Sequence, residues 1–213
     1  MLEIKCFEFG PFGTNTYVLS DAASICLIDP ACSNPYEQQV LKDYINSQFS
    51  TLNSQFSTLN SQLTIIDTHG HLDHLWGAAW ATDLWQKPVL MHEADIPMAQ
   101  AMQSQYDLFG IRATPQPFPV EPLGSQLSTL ASQPAILHTP GHTPGSVCLY
   151  WPEEKTLLSG DTLFCMGFGR TDLPGGNTSQ LFNSLKQLFT LPSDVKVYPG
   201  HGGFTTIGAE KRA

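Results

Sequence analysis

An apolar run, LTIID at residues 63–67, passes directly into THGHLDHLWG, which crowds three histidines and one aspartate into residues 69–74. So short an apolar run, bounded by polar residues, reads as a buried strand rather than a helix. Side chains that seek water or a cation cannot carry such a strand on through a core, so the cluster forms the loop beyond its C-terminal end. That junction fixes a strand, its direction and the place of its loop. Whether the loop is a metal site or an ordinary polar connection is decided by the rest of the chain.

Comparable runs recur on both sides of it. Residues 2–29 read as strands (LEIKCFEF, TYVLS, SICLID) parted by a GPFGTN turn and a second turn at 21–23. A helix signal follows, with Asn34 as N-cap, Pro35 in the first turn, and Tyr36, Val40, Leu41, Tyr44 and Ile45 on one face. Further strands are expected at KPVLM, 135–138 and 195–198, a hairpin over 146–161, and helices over 75–85, 95–109 and 179–191. Residues 113–122 (ATPQPFPVEP) read as a proline-rich loop, and Trp76 and Trp80 as core. Strands alternating with helices in both halves argue for a layered α/β domain, and the length of 213 residues for a single one over 1–213.

Residues 46–63 are a tandem repeat, NSQFSTL NSQFSTL NSQL. Phe49, Leu52, Phe56, Leu59 and Leu63 recur at spacings of three and four, a helical seam, and a seven-residue unit adds two turns while restoring the apolar face. The repeat is read as an insertion at 46–63 extending the preceding helix, by roughly 20 Å if two units are additions. No chemistry is assigned to it.

The formal net charge of -9, with no compensating Lys/Arg run, speaks against a nucleic-acid partner. No apolar run approaches the roughly 18 residues of a membrane span, and the opening MLEIKCFEFG lacks the apolar stretch of a secretory signal. Cys6, Cys26, Cys32, Cys148 and Cys165 form no C-x-x-C pair, and most sit in apolar runs as expected of reduced packing thiols. A cytoplasmic location is expected.

The hairpin supplies geometry. SVCLYW leaves the loop holding His142, turns at PEEK, and KTLLSGD returns; arms of about six residues travel about 20 Å each way. His142 and Asp161 therefore meet at one sheet edge. LTIID delivers His69 at its C-terminal end, and VKVY delivers His201 at its own. His69 and His71 can chelate one ion, with His142 added; Asp73 and His74 point to a second, with His201 added; Asp161 bridges. TPGHTPG, SGDTLF and YPGHGG arriving in order outweigh coincidence. His92 and His138 stand outside these motifs and read as structural, with His138 the better candidate for a hydrogen bond to a ligand.

On these motifs the chain resembles the metallo-β-lactamase superfamily, from Asn15 and Asp29 to TTIG at 205–208. The resemblance implies a four-layer αββα sandwich and two divalent metals, zinc first, with iron or manganese as substitutes. Asp161 as a bridge makes the chain similar to the glyoxalase II branch; the best-known β-lactamase subclass carries a cysteine ligand, and flavo-diiron relatives usually have glutamate at the place of His71. That branch implies hydrolysis of a thioester or ester by a hydroxide shared between the metals, Asp73 serving as ligand and orienting the attacking oxygen. Two divalent ions less Asp73, Asp161 and the hydroxide leave about one positive charge, which draws an anionic or carbonyl substrate.

Relatives in that branch hold glutathione with a lysine, two tyrosines and an appended helical domain. Here Arg170 takes the lysine's place, Asp172 and Gly203 those of the tyrosines, and no C-terminal helical substrate domain follows, so the chain is similar to short glyoxalase II-like proteins. Arg170 is the candidate for a substrate carboxylate. A small-molecule thioester or ester is the expected partner. GRTD at 169–172 also resembles persulfide dioxygenases, in which His69, His142 and Asp161 would hold a single iron.

Overall fold

The computed structural model describes residues 2–22, 24–51, 63–124 and 133–211. One sheet is built from β1 (Glu3–Phe9), β2 (Thr14–Ser20), β3 (Ile25–Ile28), β4 (Leu63–Ile66), β5 (Val89–Met91) and β6 (Val120–Pro122), in that spatial order. It is antiparallel through β3 and parallel from β3 to β6. The other sheet contains β7 (Ala135–His138), β8 (Val147–Trp151), β9 (Thr156–Gly160), β12 (Lys196–Pro199) and β13 (Thr205–Thr206), ordered β13-β12-β9-β8-β7. A ribbon of β10 (Leu163–Phe164) and β11 (Gly167–Phe168) follows β9.

Strand periodicity sorts the side chains into layers. Ile25 and Leu27 pack with Leu41 and Ile45 of helix α1 (Pro35–Thr51) and Ala78 and Ala81 of α2 (Ala78–Trp85). Their neighbours Cys26 and Ile28 face the other sheet and meet Leu149, Trp151 and Leu158. Cys148, Leu157 and Val197 point away again, against Leu181, Leu185 and Leu188 of α5 (Thr178–Leu188) and Ile207 of α6 (Ile207–Glu210). Three apolar clusters therefore separate four layers, helices, sheet, sheet and helices, as the sequence leads one to expect.

Asn34 caps α1 by accepting from the Tyr36 and Glu37 amides, both at 3.1 Å. The helix runs past Tyr44 into the first repeat copy, to Thr51, with Phe49 buried. Residues 52–62, and with them the rest of the expected extension, lie outside the described residues. Leu63 belongs to β4 and not to a helical seam. The single helix expected over 95–109 is a 3-10 turn (Glu93–Asp95), α3 (Ile96–Gln100) and α4 (Met102–Leu108), broken at Ala101. There the Met98 carbonyl takes the Ala101 amide and the Gln105 side-chain amide, each at 3.1 Å, closing a tight turn. The end of the proline-rich segment is no loop but the edge strand β6, where Pro122 meets no unfulfilled demand for an N–H. Among the described residues, no helix is long and apolar enough to cross a membrane.

Candidate metal centre

β4 carries the chain out of the core at Ile66, and residues 69–74 turn across its end. The loop between β7 and β8 brings His142, β9 ends next to Asp161, and β12 ends next to His201. The four strand ends share one place. Ligand atoms of His69, His71 and His142 lie within 4.8 Å of one another, as do those of His69, His74 and Asp161, and those of Asp73, His74 and His201. All seven residues named from the sequence are brought together.

The rings are turned so that their acceptors converge. Nδ1 of His142 lies 2.7 Å from the Arg170 carbonyl and Nδ1 of His201 3.3 Å from that of Gly13. A carbonyl only accepts, so each Nδ1 carries the hydrogen and each Nε2 of a neutral ring offers a lone pair inward. Nδ1 of His74 is likewise committed to Asp29 Oδ2 at 2.9 Å. His71 instead turns Nδ1 inward, 2.8 Å from His142 Nε2.

These nitrogens meet carboxylate oxygens. His74 Nε2 is 3.3 Å from Asp161 Oδ1 and 3.5 Å from Asp73 Oδ2; His201 Nε2 is 3.1 Å from Asp73 Oδ2 and 3.5 Å from Asp161 Oδ2; His142 Nε2 is 3.4 Å from Asp161 Oδ2. His69 Nε2, His74 Nε2 and Asp161 Oδ1 are buried without a hydrogen-bond partner. Acceptors facing acceptors repel unless a cation stands among them. Imidazole and carboxylate donors in this number fit divalent first-row ions.

Titration behaviour agrees. Burial, with the His74 and His142 rings, holds His69 well below the ordinary histidine range, and burial with His142 holds His71 down at about 3. Burial also opposes charge on His74 and His201. For His74 the carboxylates of Asp73, Asp161 and Asp29 override it, and for His201 the bond to Asp73 and the charge of Asp161 do so; both are pushed up. Burial would raise Asp73 and Asp161, but His74 and the other imidazoles outweigh it and both carboxyls lie below the usual range.

Two supporting carboxylates carry no motif of their own. Asp29, at a left-handed φ of 52°, accepts from the Thr68 amide (2.7 Å), the Thr68 hydroxyl (2.9 Å) and His74. Asp95, fully buried, accepts from the Gly70 amide (2.8 Å), the Gly145 amide (2.6 Å) and the Thr143 hydroxyl (2.6 Å), tying the 69–74 loop to the His142 loop. The signal for Asp29 is an acid ending the apolar run ICLI; Asp95 has none. His138 does not support a ligand ring. Its Nε2 lies 2.9 Å from the Pro144 carbonyl, and its ring stacks on His92 with centroids 4.1 Å apart.

A cleft of about 350 Å³ opens over His71, Asp73, His142, Asp161 and His201, walled by Phe12, Phe109, Phe164 and Phe168, with His69 and His74 buried behind them. Arg170 lines it, but its guanidinium forks onto Asp172 through bonds of 2.7 and 2.6 Å, both side chains exposed.

Residues 9–201 match the family described as the metallo-beta-lactamase superfamily. A protein named hydroxyacylglutathione hydrolase GloC, from Haemophilus influenzae, is 36% identical over 156 residues, 68% of this chain and 71% of its own. The crystal structure of TTHA1623 in a di-iron-bound form is similar at 33% identity and a TM-score of 0.79, covering 98% of this chain and 97% of that one. The structure of BLEG-1 B3 metallo-beta-lactamase is similar at 30% identity and a TM-score of 0.81, covering 99% and 97%.

Proposed function

The chain belongs to the metallo-beta-lactamase superfamily, and on that premise we propose that it is a dinuclear metal-dependent hydrolase of a small thioester or ester. The observation that carries the reading is the convergence of seven imidazole and carboxylate side chains from four strand ends beside one cleft, with His69 Nε2, His74 Nε2 and Asp161 Oδ1 buried and without a hydrogen-bond partner. His69, His71 and His142 would hold one divalent cation, Asp73, His74 and His201 a second, and Asp161, with Oδ2 between His142 and His201, would join them. Zinc suits the donors, and the di-iron relative supports iron as a substitute. Such cations supply Lewis acidity toward a carbonyl oxygen and acidify water.

The protein's own groups do the remainder. The Thr14 hydroxyl donates to Asp73 Oδ2 at 2.9 Å and fixes that carboxylate beside His201. Held ionised, Asp73 can orient an attacking water and accept its proton. The phenylalanine walls give the cleft an apolar lining that a bound substrate would cover. Arg170 would take a substrate carboxylate only by exchanging Asp172 for it.

The rival, a single iron on His69, His142 and Asp161 acting on a persulfide, is weaker, because it leaves Asp73, His74 and His201 without work although they converge as tightly. Elemental analysis followed by a panel of thioesters, esters, a β-lactam and a persulfide tests both. Two cations per chain with thioester or ester hydrolysis is the expected result; one iron with oxygen uptake on the persulfide overturns it. Asp161→Ala should lose at least one cation per chain and about 100-fold or more in hydrolysis, beyond the range for a group that merely supports a ligand.

A further inference from the structure

A second hollow adjoins the catalytic cleft. It has a volume of about 340 Å³ and runs from His71 between α3, α4 and the turn at 173–175, lined by Pro97, Met98, Ala101, Leu108 and Pro174 among others. His71, Phe109 and Leu173 belong to both hollows, so the two adjoin across these three side chains. We infer that this groove is the subsite for an apolar arm of the substrate, aliphatic or aryl, so that the preferred thioester or ester carries a hydrocarbon chain rather than charged ends. The inference rests on the hydrolase reading and adds the class of substrate to it.

The groove is chemically suited to carbon. None of its lining residues is Lys, Arg, Asp or Glu. Besides His71 at the metal centre and the small Ser104, the polar side chain among its described lining residues is Gln105, which is spent on the backbone: its amide donates to the Gly70 carbonyl (2.8 Å) and the Met98 carbonyl (3.1 Å), and its oxygen accepts from the Leu72 amide (2.9 Å). A polar ligand group entering there would lose water and find no free partner in that amide. Leu108 and Phe109 stand 57% and 41% exposed on its wall, apolar surface that a bound chain would cover. The volume lies within the range of small-molecule sites. The adjoining cleft offers an anionic terminus little: its one lysine or arginine, Arg170, is already paired with Asp172. An arm leaving a carbonyl held over His71 can pass straight into the groove.

The arm could be the acyl chain or the thiol substituent, and the test separates them. Ketone analogues of the thioester, with a methylene in place of sulfur, resist hydrolysis. Two homologous series, lengthened on the acyl side or on the methylene side, are titrated into the metal-loaded protein by calorimetry. One series should tighten by about fourfold per added methylene until the groove is full, and the other should stay flat. Ala101→Trp, which fills the groove, and Leu108→Asp, which charges its wall, should each flatten the responding series. Two flat series, or a slope that survives both substitutions, overturns the subsite. Hydrolysis of the corresponding thioesters, measured separately, keeps the two readings apart. Turnover with no dependence on chain length sinks the subsite alone. Length-dependent binding without turnover of any thioester or ester sinks the reaction and leaves the subsite standing.

Discussion

Asp95 and Asp29 set the precision of the site although neither faces the cleft. Asp95→Asn replaces an oxygen that accepts from N–H and O–H donors with an amide that also donates, so donor meets donor inside a buried pocket. The expected cost is about 3 kcal/mol in urea unfolding, with cation affinity reduced about 10- to 100-fold as both loops loosen. In metal-stripped protein, stability should peak near pH 6.5. Folded His69 and His71 stay neutral where the unfolded chain takes up protons, so stability falls as pH drops below about 6.5. Folded His74 and His201 keep protons that the unfolded chain has released, so it falls again as pH rises above that value. Urea midpoints across pH 5 to 9, with and without cation, check this; loading should remove the alkaline limb, because the ion takes over the proton's place. At this scale the seven converging residues were legible in the sequence because histidines in the tight spacing of 69–74 are rare and the His142, Asp161 and His201 motifs fall in order beside expected strand ends. The two supporting aspartates were not, because their partners lie 25 or more residues away and a lone acid at a strand end is usually a cap.

Among the elements, the exit of β12 leaves no room for a side chain beside the site. A Cβ on Gly200 would lie 2.2 Å from Asp161 Oδ1 and 2.7 Å from His74 Cε1. Gly200→Ala should therefore displace the Asp161 carboxylate and lower the metal content of the folded protein by about one ion per chain, read by elemental analysis beside circular dichroism. The repeat gives the opposite expectation. α1, which holds the described part of the repeat, ends at Thr51, and β4 begins at Leu63 and runs toward His69, so Leu63 is the end of that strand away from the site. Deleting the copy at 46–52, all but its last residue in α1, should leave cation content and hydrolysis within about twofold of the parent, since a seven-residue step restores the apolar face of a helix. Most long strands and helices could be read from period and caps. The two-residue strands β10, β11 and β13 could not, being too short to show a period, and the break at Ala101 depends on a Gln105 contact made across the turn.

For the whole molecule, the proposed ions sit on a seam. His69, His71, Asp73 and His74 ride on the end of β4, while His142, Asp161 and His201 come from the facing sheet. The same seam is laced by Asn15, whose amide donates to the Gly200 carbonyl at 2.7 Å and whose side chain donates to the Pro199 and Gly202 carbonyls at 2.9 and 3.0 Å, and by Tyr17, whose hydroxyl donates to the Pro199 carbonyl at 2.6 Å. Chelation should lower the melting temperature by about 10 to 20 °C for two ions each held at about a hundred times its dissociation constant, and re-addition should restore it. A layered α/β fold was legible from alternating strands and helices, and its four-layer order through the family resemblance. The lacing was not, because Asn15 and Pro199 are 184 residues apart.

That division of the binding groups makes the ions rivets between two plates. In a loaded molecule, parting the plates and releasing the ions would become one event, so the backbone hydrogen of Asn15, which bonds across the seam to the Gly200 carbonyl, should trade with deuterium no faster than those of the deepest strands. Once the rivets are drawn, that same position should be among the first to exchange.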